Sequence, residues 1–362
     1  MKSDILHTYI IAEAGVNHNG SIELAIELID VACEAGADAV KFQSFKSENL
    51  VSKSALKAEY QRRTTDKNES QFDMIKRLEL DVDSHLKLQK YCTERGIEFL
   101  STPFDNESLD LLANNMDLSL IKISSGDLTN APLLYEAART DKPVILSTGM
   151  STLADIEQAL GVLAMGYVNT DVLPSREAIR NAFISQQGQQ LLRQKVSLLH
   201  CTTEYPAPFL EVNLRAMDTL RASFGLPVGF SDHTQGIAVP VAAVARGATI
   251  IEKHFTLDRD FPGPDHKASL MPDELKLMIQ AIRQVEVSLG SGIKLVSESE
   301  FKNINVARKS LVALMNIRKG EIFTFENLGV KRPGGGIEPI DYWEVLGQVA
   351  NKDYLVDEFI SL

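Results

Sequence analysis

Eight short apolar runs recur along this chain, and most of them end in residues that are costly to bury. The runs are Tyr9–Ala12, Ala39–Phe42, Ile97–Leu100, Leu120–Ile123, Pro143–Leu146, Val196–Leu199, Pro227–Gly229 and Thr249–Ile251. Between them lie stretches with a helical repeat of apolar residues, among them Ile22–Ala35, Val82–Arg95, Ser108–Asn114, Ala131–Arg139 and Thr152–Met165. Strand and helix alternating in this way predict an α/β fold of parallel βαβ units, and eight units predict closure into a (β/α)8 TIM barrel. A doubly wound open sheet is the competing arrangement, but no GxGxxG follows the first run. In a barrel the C-terminal strand ends form the active face. There the last run leads into Glu252-Lys253-His254, and similar endings occur at Ala39-Val40-Lys41-Phe42-Gln43 and Gly229-Phe230-Ser231-Asp232-His233. Lys and Glu are seldom buried unless paired, so these endings predict a site of chemistry.

With 362 residues, 44% hydrophobic and 24% charged, the chain is long enough for one large domain and a small one. A formal charge of −12 argues against a general nucleic-acid or anionic-membrane binder, while leaving room for a locally positive pocket. No apolar run nears the ~18 residues of a membrane span. The acid at Asp4 and the early His7 do not read as a signal peptide. The cysteines Cys33, Cys92 and Cys201 are scattered and lack CxxC spacing. That suits a reducing cytoplasm better than a disulfide framework or a structural zinc site. Cys33 and Cys92 fall in helical stretches and read as core thiols, and Cys201, after His200, is a weak candidate nucleophile.

Two long connections interrupt the alternation. Lys46–Lys76 is polar, with a helix expected over Ala55–Arg63, and is placed to cover the barrel mouth. Asn169–Gln194 is glutamine-rich and reads as a peripheral insertion on the far face, without a catalytic part. Gly290-Ser291-Gly292 stops the amphipathic stretch Pro272–Leu289. The expected domains are therefore a barrel over residues 1–290, a charged linker over 291–305 and a small β-rich module over 306–362. Within the module, short segments are expected at Ser310–Leu314, Glu321–Thr324 and Leu328–Val330. A module of that size buries little core alone and is expected to dock on another surface.

The candidate site residues cluster at strand ends. Ala12-Glu13-Ala14-Gly15-Val16-Asn17-His18-Asn19-Gly20 sets donors and acceptors on a tight loop, or is an ordinary turn. Lys41 and Gln43 share one strand face. A lysine pointing into a barrel binds an anion or forms a Schiff base, unless it snorkels to the surface. Ser101-Thr102-Pro103, Lys122-Ile123-Ser124-Ser125-Gly126-Asp127 and Ser147-Thr148-Gly149-Met150 bring hydroxyls, a second lysine and glycine N–H groups to successive strand ends. Together they favour a substrate bearing phosphate or carboxylate. His233 and His254 end neighbouring strands, where two imidazoles can reach one divalent cation. Asp232, Glu252 and Asp265 supply acid or oxygen ligands nearby, and His200 competes for the metal. A metal-assisted enzyme on a phosphorylated or carboxylated small molecule is favoured. A Schiff-base aldolase or lyase using Lys41, Lys122 or Lys253 stays open, as does a non-catalytic carbohydrate-binding protein.

In order, Ile10-Ile11-Ala12-Glu13-Ala14-Gly15-Val16-Asn17-His18-Asn19-Gly20, Lys41-Phe42-Gln43, Ser101-Thr102-Pro103-Phe104, Ser147-Thr148-Gly149-Met150, His200-Cys201-Thr202-Thr203-Glu204-Tyr205-Pro206, Gly229-Phe230-Ser231-Asp232-His233-Thr234 and Glu252-Lys253-His254-Phe255-Thr256 resemble the sialic acid synthase family. Val330-Lys331-Arg332-Pro333-Gly334-Gly335-Gly336 resembles that family's C-terminal antifreeze-like (SAF) domain. The resemblance implies condensation of phosphoenolpyruvate with an N-acylated amino-sugar aldehyde, releasing phosphate and forming a nine-carbon 2-keto acid. It implies a divalent ion, usually manganese or magnesium, on His233 and His254, and a proton-transfer role for Glu13. Lys41, Lys122, Ser125 and Ser147 fall on phosphoenolpyruvate-binding positions. Gln43, Thr102, Tyr205 and Asp265 match positions near sugar or metal, and Asp127, Ser231 and Glu252 are counted with the substrate-binding set. A domain-swapped homodimer is implied, in which Arg332 of one subunit reaches the sugar's N-acyl group on its partner.

The chain departs from several relatives at Asp127, where they carry glutamate, and at Thr203, where some carry asparagine. The first-ranked product is N-acetylneuraminate from N-acetylmannosamine. The alternative is N,N′-diacetyllegionaminate from the 2,4-diacetamido-trideoxymannose sugar. The stretch Lys57-Ala58-Glu59-Tyr60-Gln61 resembles these two branches more than the pseudaminate branch. The family reaction needs no Schiff base, and alternation points Lys253 away from Glu252 and His254.

Overall fold

In the computed structural model, which describes residues 7–52, 54–57, 62, 65, 69–168 and 172–362, the eight runs are the strands of one parallel sheet. They are β1 (Tyr9–Gly15), β2 (Ala39–Ser44), β3 (Glu98–Pro103), β4 (Ile121–Ile123), β5 (Val144–Ser147), β6 (Val196–Cys201), β7 (Val228–Asp232) and β8 (Ile250–His254). Their order is β3-β2-β1-β8-β7-β6-β5-β4. β1 pairs with β8 from Tyr9↔Ile250 to Glu13↔His254, and β3 and β4 pack side by side, so the sheet is a near-closed TIM-like barrel. Each strand begins where expected to within a residue, but most run on past their apolar stretch. β1 reaches Gly15 and β8 reaches His254. The ladder satisfies the backbone whatever the side chain, so polarity alone does not end a strand.

The helices follow local signals. Ile22–Ala35 starts where Ser21 Oγ accepts the Leu24 N–H at 3.3 Å and stops at Gly36, whose φ of 85° suits glycine. It buries Ala25, Leu28, Ile29 and Ala32 in the layer between sheet and helices. The helix expected over Ser108–Asn114 is a helical turn Asn106–Asp110 followed by a π turn Leu111–Asn115. Thr152–Met165 forms as Leu153–Val168. The insertion is helical, as Arg176–Ile184 and Gln186–Lys195, and a Cβ on Gly161 would lie 2.8 Å from Ile179 Cγ2 of its first helix. Most of Ala55–Arg63 and of Lys57–Gln61 lies outside the described residues. The rest of that connection supplies Ser47–Leu50 and the helix Gln71–Leu78.

Inside the barrel the alternation of side chains sorts into layers. Ile11, Leu100, Ile145, Leu199 and Ile250 form a buried apolar floor with Ala39 and Leu120. Gly229 takes the inward position of β7 at this level, because a Cβ there would meet the Ile250 carbonyl oxygen at 2.5 Å. Two residues further along each strand, the inward positions carry Glu13, Lys41, Thr102, Lys122, Ser147, Cys201, Ser231 and Glu252.

The chain divides into the units Met1–Gly290 and Ser291–Leu362. In the second, β9 (Ser310–Ala313) pairs antiparallel with β10 (Leu328–Lys331), from Leu328↔Ala313 to Lys331↔Ser310. Glu321–Thr324, expected as a strand segment, makes a single bridge, Ile322↔Val349. The unit has a small core of its own, including Leu311, Ile317, Phe323, Leu328 and Tyr354. The residues expected as a linker contain the helical turn Glu298–Phe301 and begin a second, Ile304–Ala307. Asn305 accepts the Gly334 N–H at 2.8 Å, which ties this stretch to the second unit. Among the described residues no helix is long and apolar enough to cross a membrane.

Candidate active site

The polar strand ends converge on one cavity of about 530 Å³. At its base Lys41 Nζ lies 2.5 Å from Glu13 Oε2, 3.4 Å from Glu252 Oε2 and 3.0 Å from Thr102 Oγ1. Lys122 Nζ is 3.4 Å from the other Glu252 oxygen, which also accepts a hydrogen bond from Ser231 Oγ at 2.7 Å. Two ammonium groups and two carboxylates thus share a water-poor pocket, where each charge depends on its neighbours.

Those neighbours act unequally. Burial pushes the Glu13 carboxyl up, against the pull of Lys41. Burial also opposes ionisation of Glu252, but Lys122 and Lys41 outweigh it and hold Glu252 well below the usual carboxylate range. Lys41 feels the same penalty, and Glu13 and Glu252 overcome it, keeping the ammonium protonated. Glu252 is therefore the standing anion and Glu13 the carboxyl that takes up a proton more readily. Lys41 meets both Glu13 Oε2 and Glu252 Oε2, but Ser147 Oγ is buried without a hydrogen-bond partner. Buried polar atoms facing a cavity in this state call for a ligand.

Above this layer stand the histidines. His233 Nδ1 lies 2.6 Å from the Thr202 carbonyl oxygen, which can only accept, so Nδ1 carries the hydrogen and Nε2 presents its lone pair. The His233 and His254 rings are 5.6 Å apart, and the Tyr205 ring packs 4.1 Å from His233 and edge-on to His254. Burial lowers His233 to about 4. Burial, then His233 and Lys41, lowers His254 well below the ordinary histidine value. Both rings are neutral, as a metal-binding imidazole must be, and a carbonyl fixing the far nitrogen of one ring is the usual outer support of such a ligand. His254 Nδ1 is buried without a partner. Among the described residues no cluster of three or more His, Cys, Asp or Glu has metal-binding geometry. The donor set fits an ion held by two imidazoles, with its other positions open to water or substrate. Asp265 also lines the cavity, and burial followed by the nearby Glu13 raises it to about 7.

Gln43, Ser125 and Tyr205 complete the expected residues found around this cavity. Asp127 is not among them. Its carboxylate accepts from Ser124 Oγ at 2.6 Å and Asn130 Nδ2 at 3.2 Å, bracing the loop that carries Ser125. Arg332 is exposed, just after β10 in the second unit. His200 does not compete for a metal, since its Nε2 is 2.7 Å from the Val212 carbonyl on the outer side of β6. Lys253 also lies outside the barrel, fully buried and 2.6 Å from Asp232 Oδ2. That removes it as a Schiff-base lysine, and Lys41, held protonated, lacks the free amine an aldolase needs. The Cys201 thiol faces the cavity, but burial pushes it up, away from a thiolate nucleophile. Sequence reasoning missed the Thr202 carbonyl, which leaves no side-chain signal. It also missed the apolar wall of Leu50, Val51, Met74 and Ile75, whose helical spacing reads as ordinary packing.

A model of the NeuB family matches residues 28–294, and a model of the SAF domain matches residues 308–361. The chain is 52% identical over 353 residues to N,N′-diacetyllegionaminic acid synthase of Campylobacter jejuni, covering 98% of each. It is 43% identical over 339 residues to the protein of the same name from Legionella pneumophila, covering 94% of this chain and 89% of that one. The crystal structure of N-acetylneuraminic acid (sialic acid) synthetase from Leptospira borgpetersenii, in complex with citrate, matches with a TM-score of 0.66 at 33% identity, covering 82% of this chain and 90% of that one.

Proposed function

The chain belongs to the NeuB family, and from that premise we propose that it joins phosphoenolpyruvate to the 2,4-diacetamido-trideoxymannose sugar, giving N,N′-diacetyllegionaminate and phosphate. It is an enzyme of nonulosonate synthesis. N-acetylneuraminate, ranked first from the sequence, yields to the legionaminate alternative because the two relatives at 52% and 43% identity carry that name.

The observation that supports this reading is the layered cavity, with two lysines and an unpartnered serine hydroxyl below two neutral imidazoles. Lys41, Lys122, Ser125 and Ser147 are proposed to hold the carboxylate and phosphate of phosphoenolpyruvate, replacing water with fixed positive charge. The sugar aldehyde would then lie above, toward His233 and His254, with Gln43, Tyr205 and Asp265 around it and Thr102 beneath it beside Lys41. His233 and His254 would hold a divalent cation, manganese or magnesium, which supplies Lewis acidity at the aldehyde oxygen. C3 of phosphoenolpyruvate forms the new carbon–carbon bond with the aldehyde carbon, and water adds at C2. The C2–O bond to phosphate breaks, and the hydroxyl left on C2 collapses to the ketone. Glu13 is the group proposed to move the proton from that water toward the new alkoxide, since its carboxyl is pushed up while Glu252 stays ionised. A homodimer in which a second copy brings Arg332 to the sugar is part of the same proposal.

Phosphate release measured with phosphoenolpyruvate and each sugar in turn, with and without manganese, tests the reading. Faster turnover of the diacetamido sugar, lost to a chelator, is expected. A higher kcat/KM with N-acetylmannosamine would overturn the choice of sugar, and chelator-resistant turnover would overturn the metal.

A further inference from the structure

We infer that Asp232 and Lys253, which touch neither the cavity nor any reacting atom, form a positioning pair that sets the spacing of His233 and His254. The inference rests on the two-histidine metal reading above. Asp232 and Lys253 are register partners across the β7–β8 ladder, and each immediately precedes one of the histidines. Both side chains are 0% exposed, with Nζ and Oδ2 2.6 Å apart.

Below the pair the strands are apolar, while Glu274 and Arg259 act on Lys253 from outside the barrel. The neighbouring outward positions on the same strands are Phe230 and Ile251, both in the core between sheet and helices. A wholly buried ion pair costs several kcal/mol in desolvation per ion, and an apolar pair of similar volume is often as stable or more so. Stability therefore does not account for charges at this point, whereas geometry does. β7 ends at Asp232, and the carboxylate accepts the Thr234 N–H at 2.9 Å and the Thr234 hydroxyl at 3.1 Å. This closes a tight turn whose middle residue is His233. Lys253 Nζ donates to the Thr234 carbonyl as well. One ammonium, rooted on the strand of His254, thus grips both ends of the turn that carries His233.

The test uses the full chain with Asp232→Leu and Lys253→Met combined, and Mn²⁺ binding followed by electron paramagnetic resonance. Phosphoenolpyruvate affinity and melting temperature are measured alongside. We expect a folded protein whose Mn²⁺ affinity falls ~10- to 100-fold, as for other outer supports of metal ligands, with phosphoenolpyruvate affinity near wild type. If that variant does not fold, Asp232→Asn with Lys253→Met, which keeps an acceptor for Thr234, takes its place under the same expectation. Wild-type Mn²⁺ affinity in a folded variant overturns the inference, and so do equal losses for Mn²⁺ and phosphoenolpyruvate, which mark general loosening. A wild-type chain that binds no Mn²⁺ overturns the metal reading first, and this inference with it.

Discussion

Lys41 Nζ sits 2.5 Å from Glu13 Oε2 with each side chain 2% exposed, so neither charge has water to fall back on. Removing one partner of such a pair strands the other. Lys41→Met is expected to cost about 3–5 kcal/mol of stability and to abolish use of phosphoenolpyruvate. Urea unfolding checks the first part, and a variant as stable as the parent would show that the pair is not the buried contact described.

Glu13→Gln keeps the shape and removes the proton carrier. The expected result is a fall in kcat of about 10²- to 10⁴-fold, with little change in the KM for phosphoenolpyruvate. Steady-state kinetics decide it. A large KM effect with kcat preserved would move Glu13 from proton transfer to binding.

Asp265 gives a pH signature. Its folded value of about 7 lies above the ordinary 3.8, so the folded chain holds this proton more tightly than the unfolded one. The stabilisation is complete below the lower value and is lost as pH rises through about 7. Over that whole window it amounts to at most ~4 kcal/mol. Urea midpoints at pH 5 and pH 8 should therefore differ less in Asp265→Asn than in the parent. Identical pH dependence in the two proteins would count against the shift.

His254 and His200, which each lie at a strand end, should separate cleanly. His254→Ala is expected to stop phosphate release and Mn²⁺ binding. His200→Ala, which removes a ring bonded to the Val212 carbonyl outside the barrel, should leave Mn²⁺ affinity intact. Loss of Mn²⁺ binding in the His200 variant would reopen the assignment of ligands.

Arg332→Ala is expected to raise the KM for the sugar far more than that for phosphoenolpyruvate. Mixing it with inactive His254→Ala should recover turnover if one copy supplies Arg332 to the barrel of another. Mixtures no more active than their parts would argue for a site completed within one chain.

The barrel was legible because its period is mechanical. β1, β2 and β6 start at the residues where apolar β-rich character begins, and Gly36 and Gly96 stop helices with positive φ as glycine should. The strand ends were less legible, since β1, β3, β7 and β8 carry their ladders past the apolar runs into polar residues. Most of the expected site residues do meet in one cavity, because alternation on adjacent strands decides which side chains point inward. That same alternation would have excluded His200 in advance. Leu199 and Cys201 face the barrel interior, so the residue between them faces out. Asp127 could not be placed this way, because its direction depends on a loop whose hydrogen bonds to Ser124 and Asn130 are set only on folding.

The floor of Ile11, Leu100, Ile145, Leu199 and Ile250 makes the barrel a blind vessel. Among the described residues the inward positions at that level are apolar side chains and Gly229, and an apolar layer packed this closely stays dry. The water that the reaction consumes and the phosphate that it releases must then pass on the same side of that floor as both substrates.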